Sequence, residues 1–151
     1  LPAGRFGRAL ELGCSIGVFT EQLAPRCGHL LALDFSAPAI ALAERRVGGL
    51  ENVELRRASF PDEAPAGRWD LIVCSEILYY LQPPELERAI SWLRCQLSDG
   101  ACAVAVSWRG EGRDEPFRGD EVHDRLAREL AVWKTLDDRR EGYRLDRFGG
   151  R

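Results

Sequence analysis

Two glycines, Gly13 and Gly17, stand between a short apolar run and an amphipathic one, with an acid before them at Glu11 and another beyond at Asp34. Such a set can cradle a ribose-bearing cofactor. Glycine lets the backbone approach a ligand closely, and a helix starting there offers unpaired N–H groups and the positive end of its dipole. Asp34 closes the second apolar run, where a carboxylate accepts hydrogen bonds from ribose hydroxyls. Each feature alone has a plainer reading: a tight strand-to-helix turn for the glycines, a turn start or cap for Asp34. A second cluster, Glu76, Tyr79 and Tyr80, follows the strongest apolar run, Trp69 to Cys74. A carboxylate or phenol there can accept or steer a proton. Otherwise Glu76 is a first-turn acid favoured by a helix dipole, and the tyrosines pack the next helix.

The elements that must position these residues alternate along the chain and predict an α/β protein built on a mainly parallel, doubly wound sheet. Arg8 to Leu12 reads as a strand and is followed by a helix through Phe19, Leu23 and Pro25. Leu30 to Leu33 is apolar on both faces, as a central parallel strand is. Ser36 as N-cap and Pro38 in the first turn open a helix with the stripe Ile40, Ala43 and Val47. Val53 to Arg56 alternates in polarity and suits a strand nearer the edge. After the strand Trp69 to Cys74, Pro83-Pro84 starts a helix carrying Leu86, Ile90, Leu93 and Leu97. Ala101 to Val106 is the next strand, Gly110 to Gly119 a charged loop, and Val122, Leu126 and Leu130 mark a helix. The stretch from Val132 to Phe148, turning at Glu141-Gly142, predicts an antiparallel hairpin that closes the sheet edge.

Residues 1–151 make one domain, large enough for a core without metal or disulfide staples. A net charge of −3 argues against nucleic acid or an acidic membrane as partner, and no apolar run reaches the length of a membrane span. Five cysteines form no C-x-x-C pair, and with only two histidines a metal site is not expected. They read as reduced thiols, mostly buried, which suits a cytoplasmic protein. The chain lacks Met altogether, so its N-terminus reads as cut back. The sequence sets no oligomeric state.

A dinucleotide fingerprint needs glycines at its first, third and sixth positions, and Ser15 and Val18 occupy the last two. The segment Glu11-Leu12-Gly13-Cys14-Ser15-Ile16-Gly17 instead resembles the first motif of class I S-adenosylmethionine (SAM)-dependent methyltransferases, with Ser15 in place of the middle glycine. Trp69 to Leu81 resembles the fourth motif, and Ser98-Asp99-Gly100 the approach to strand five. More narrowly, Leu10 to Thr20, Leu23 to Cys27, Ser75 to Leu81, Gly119 to His123 and Tyr143 to Asp146 resemble the NodS-like methyltransferases. Their nodulation members N-methylate a deacetylated chitooligosaccharide.

The resemblance implies a Rossmann-like methyltransferase core, SAM as cofactor and S-adenosylhomocysteine (SAH) as product. It also implies a small-molecule acceptor, with an amino sugar as the candidate and both nitrogen and oxygen acceptors open. By this resemblance Gly13, with Cys14, Ser15 and Gly17, holds the methionine part and Glu11 orders the turn. Asp34 takes the ribose. Phe35, Ser59 and Phe60 surround the adenine, Ser59 standing where the family commonly has an acid that Asp62 could replace, and Cys74 offers its carbonyl to the methionine ammonium. Glu76 and Tyr79 are the catalytic candidates, and Tyr80, Trp108 and His123 the substrate-side ones. His123 also reads as a structural or solvent-facing residue at the rim of an apolar stripe, and Trp108 as a core or rim tryptophan. The acid-rich loop from Glu111 to Glu121 could attract a cationic amine or be solvated surface. Ser15, Ser59, Ser107 and the short N-terminus would also suit a non-catalytic SAM-binding or scaffolding domain. An NAD-dependent oxidoreductase is the more distant alternative.

Overall fold

The computed structural model describes residues 1–110 and 115–150. Seven strands follow the apolar runs: β1 (Phe6–Leu12), β2 (Cys27–Asp34), β3 (Val53–Arg57), β4 (Leu71–Ser75), β5 (Cys102–Trp108), β6 (Lys134–Arg139) and β7 (Tyr143–Gly149). Four helices join them: α1 (Val18–Leu23), α2 (Ala37–Val47), α3 (Pro83–Ser98) and α4 (Gly119–Glu129). The sheet order is β3-β2-β1-β4-β5-β7-β6. The first five strands in that order run parallel, and β7 is antiparallel to both β5 and β6. The alternating Val53 to Arg57 strand is at one edge, and the C-terminal hairpin closes the other.

Period-two alternation divides the core between the two faces of the sheet. Leu10, Leu12, Leu31, Leu33, Ile72 and Cys74 pack beneath α3 and α4, whose Leu86, Ile90, Val122 and Leu126 complete that layer. Ala9, Leu30, Leu71, Val73 and Val104 face the other way, against Leu23 of α1. The chain winds outward from β1 through β2 to β3, then returns to β4 on the opposite side of β1. At such a reversal the carboxyl ends of the two central strands part and leave a crevice.

Local chemistry sets the helix starts. The Ser36 Oγ accepts from the Ala39 N–H at 3.3 Å, and the Glu85 carboxylate accepts from the Gln82 N–H at 2.7 Å just ahead of Pro83. Several boundaries differ from the expectation: β1 begins at Phe6 and not Arg8, and β4 runs Leu71–Ser75 and not Trp69 to Cys74. The first helix stops at Leu23, and Ala24–Arg26 tighten into a 3₁₀ turn, because Pro25 has no N–H to continue the α-helical ladder.

His123 is also placed differently from its expected rim. It is fully buried between α4 and the hairpin, with Nδ1 2.9 Å from Asp146 Oδ2. Asp146, itself fully buried, also faces Lys134 Nζ at 3.4 Å. The guanidinium of Arg144 donates to Asp124 at 2.6 Å and to Asp137 at 3.2 Å. These side chains clamp α4 to β6 and β7, so His123 is an internal strut and lines neither cavity described below. Removing Asp146 takes the partner from the fully buried His123 and one of the carboxylates from the buried Arg144, and breaking a buried pair costs about 3–5 kcal/mol. Asp146→Ala is therefore expected to lower unfolding free energy by about that amount, measured by urea denaturation against the parent protein.

Candidate functional site

The turn after β1 is built from positive-φ residues. Gly13 has φ 79°, and a Cβ there would approach the Ser75 carbonyl oxygen at 3.1 Å and the Ile77 Cβ at 3.3 Å. The N–H groups of Gly13 and Cys14 both donate to the Leu33 carbonyl at 2.9 Å, which ties the turn to the end of β2. Ser15 adopts φ 49°, and its N–H donates to Asp34 Oδ2 at 2.9 Å. The other oxygen, Oδ1, accepts from the Ser36 N–H at 2.9 Å. Two backbone donors thus orient the Asp34 carboxylate and leave acceptor capacity on each oxygen, since a carboxylate has about four lone-pair sites.

Around this clasp opens a cleft of about 660 Å³ at the carboxyl edge of the sheet. Gly13, Ser15 and Asp34 form one end, and Phe35, Ala58, Ser59 and Phe60 form an apolar flank. Phe35 is 73% exposed, an unusual state for an aromatic side chain that lines a cavity. Phe60 is held edge-on against Trp92, with ring centroids 5.5 Å apart. Ser75, Glu76, Ile77 and Tyr80 supply the opposite wall.

Glu76 leaves β4 with φ 55°, a left-handed conformation that costs a non-glycine residue about 1–2 kcal/mol. Its backbone N–H donates to the Val106 carbonyl, and its Oε2 accepts from the Tyr79 hydroxyl at 2.5 Å and the Trp108 N–H at 3.1 Å. Burial, then the hydrogen bond to Glu76 and that residue's charge, push the Tyr79 phenol well above its usual range. The phenol stays protonated and acts as a donor. Glu76 itself is exposed and lines the cleft, with one oxygen anchored.

The structure brings Gly13, Ser15, Asp34, Phe35, Ser59, Phe60, Glu76 and Tyr80 to one cleft, and sets four expected cofactor residues behind it. Gly17 faces α2, where a Cβ would meet the Ala43 Cα and Cβ at 3.2 Å, so its missing side chain serves helix packing. Cys14 packs with Ala32 and Ile40, and burial raises its thiol to about 12. The Cys74 side chain is buried under α3 and the neighbouring Ser75 lines the cleft; the role expected of Cys74 belongs to its backbone carbonyl, which this burial does not alter. Glu11 lies fully beneath the turn with Oε2 unpartnered. Asp62 pairs with Arg88 at 2.6 Å, whereas Glu85 reaches the cleft. Glu85, in the first turn of a proline-started helix after β4, is the acid that sequence reasoning missed. Tyr79 and Trp108 line a separate, smaller cavity. Residues 111–114 of the acid-rich loop lie outside the described residues. Among the described residues, Cys14, Cys27, Cys74 and Cys102 are buried and Cys95 is exposed, all unpaired. No described helix is long and apolar enough to cross a membrane.

Comparison with known proteins places this geometry among relatives. The family described as Nodulation protein S (NodS) matches residues 1–108. Nodulation protein S of Rhizobium tropici is 34% identical over 110 residues, covering 72% of this chain and 46% of that protein. Among solved structures, a Pseudomonas syringae protein superimposes with a TM-score of 0.84 at 31% identity, covering 99% of this chain and 91% of that one. The N-methyltransferase NodS of Bradyrhizobium japonicum WM9, in complex with SAH, gives a TM-score of 0.78 at 25% identity, covering 97% of this chain and 79% of that one. The chain spans about half the length of the nodulation relatives it matches, 46% and 52% for two of them. The fold is that of the class I methyltransferases.

Burial raises the Glu11 carboxyl to about 7, with Thr20 opposing the shift and the Asp34 charge adding to it. The folded state then keeps a proton that the unfolded chain releases near 4.5. Stability should fall as pH rises between these values and level off above the higher one. Glu11→Gln removes this titration. Relative to the parent, it is expected to gain up to about 3 kcal/mol between pH 4 and pH 8, measured as the pH dependence of urea unfolding.

Proposed function

The chain belongs to the NodS family, and from that premise we propose that it is a SAM-dependent methyltransferase acting on the amine of a small acceptor. The observation that carries the reading is the Asp34 clasp beside Gly13. It supplies a pre-oriented carboxylate and a bare stretch of backbone at the switch point of a parallel sheet. The cleft fits SAM in chemistry as well as shape. Asp34 would accept from the ribose hydroxyls. Phe35, Ser59 and Phe60 would enclose the adenine. Gly13 leaves room that a Cβ would fill, and the orphaned Glu11 oxygen beneath the turn offers a hydrogen-bond acceptor to a methionine ammonium.

When bound, SAM supplies a methyl carbon whose bond to sulfur breaks as the acceptor nitrogen's lone pair forms the new C–N bond, releasing SAH. Alignment of the two reactants supplies most of the acceleration in such a transfer. Glu76 would receive the proton shed by the amine. The Tyr79 hydroxyl and the Trp108 N–H hold its Oε2 while the carboxylate faces the cleft. Tyr79 is then a positioning residue, its own proton committed to Glu76. Strain at Glu76 supports the assignment, since costly backbone conformations cluster at functional sites. Tyr80, 55% exposed on the cleft wall, would border the acceptor. The amine of a deacetylated oligosaccharide is the acceptor we favour, in keeping with the N-methyltransferase among the structural relatives. Unpaired cysteines suit the reducing cytoplasm as its compartment.

Calorimetry should show SAM and SAH binding and no binding of NAD. Asp34→Ala is expected to weaken both by about tenfold or more, the loss of one or two charge-assisted hydrogen bonds. Methyl transfer to chitosan oligomers, read by SAH release, should fall by about 100-fold or more in Glu76→Gln with SAM affinity retained. SAM binding without transfer to any amine or hydroxyl acceptor would turn the reading into that of a SAM-binding scaffold.

A further inference from the structure

Behind the Glu76 wall lies a second cavity of about 200 Å³, bounded by Tyr79, Trp108 and the chain from Glu115 into the first turn of α4. It shares no wall residue with the larger cleft, and the Tyr79 hydroxyl on Glu76 bridges the two. The Glu115 Oε2 atom is buried and has no partner among the described residues. Glu121, by contrast, has its Oε2 on the Arg118 N–H at 2.7 Å, and Arg118 on the same wall is already partnered. The indole of Trp108 is 47% exposed. The seat is well defined: a Cβ on Gly119 would collide with the Trp108 carbonyl oxygen, so the start of α4 rests directly on the end of β5.

A carboxylate oxygen removed from water without a donor is unfavourable, and a ligand's donor restores the balance. Aromatic faces beside such a carboxylate attract cations. The volume falls below the roughly 300–1,000 Å³ of sites that enclose a whole drug-sized ligand, and suits a single ring.

We propose that this smaller cavity is a second acceptor subsite, which holds the part of the acceptor remote from the reacting nitrogen and selects a ring-sized group bearing an ammonium. Glu115 supplies the counter-charge, and Trp108 with Tyr79 the aromatic wall. The meaning of "acceptor" rests on the methyl donor occupying the larger cleft. The cavity's preference for an ammonium does not.

A charge series on one ring tests it: cyclohexylamine, cyclohexanol and cyclohexanecarboxylate, titrated at neutral pH with and without SAH. The readout is the indole N–H resonance of Trp108, identified by its loss in Trp108→Phe. Cyclohexylammonium is expected to shift this signal saturably, with affinity about tenfold or more above that of cyclohexanol (~1.4 kcal/mol), while the carboxylate leaves it in place. Glu115→Gln should abolish the difference and leave SAH affinity and the rest of the spectrum unchanged, and Glu115→Ala should do the same. Equal binding of amine and alcohol, preference for the carboxylate, or an unmoved Trp108 signal each overturns the proposal. Failure of SAH to bind overturns only the cofactor reading, because the ring series is read in its absence as well.

Discussion

One carboxylate organises this half of the molecule. Asp34 accepts the N–H of Ser15 from the turn after β1 and the N–H of Ser36 from the start of α2. Two segments far apart in sequence are thereby locked to the end of one strand. The Ser15 conformation, which a residue with a Cβ rarely adopts, is maintained because its N–H has this partner. The same end of β2 supplies the Leu33 carbonyl to Gly13 and Cys14. The cradle is therefore a product of inter-strand geometry as much as of glycine content.

On the far wall, a single carboxylate again joins several elements. Glu76 carries strain in its backbone, yet its N–H, through the Val106 carbonyl, and its Oε2, through the Trp108 N–H, both bind it to β5. Tyr79, from the short turn that follows β4, completes the arrangement. Three contacts from neighbouring elements hold this residue in place, two of them on its carboxylate. Rigid support of this kind lets a carboxylate receive a proton without first paying reorganisation.

Much of this was legible from residue types alone, for reasons that differ by element. Leu30 to Leu33 announced a central strand because both faces are apolar. Val53 to Arg56 announced an edge because one face is not. Ser36 and Pro83 marked helix starts through properties of their own backbone and side chain. What escaped depends on residues distant in sequence. Gly17 owes its lack of a side chain to Ala43 on another helix. His123 is an interior residue because Asp146, on the last strand, receives it. Glu115 lies in the acid-rich stretch whose composition suits a cationic amine, but without periodicity nothing singled out which of its acids faces a cavity.

The antiparallel position of β7 between β5 and β6 has a temporal consequence. Phe148 pairs with Ala103, and Tyr143 with Trp108, so β5 gains its outer neighbour only after α4 and β6 have followed it out of the ribosome. Synthesis runs from the N-terminus at about 5–20 residues per second. The strand that carries Trp108 accordingly waits, with its outer edge bare, until β7 has emerged, whereas the Gly13–Asp34 turn emerges before either strand. A nascent chain stalled between β5 and β7 would hold every residue of the larger cleft and still lack the clamp that seats α4.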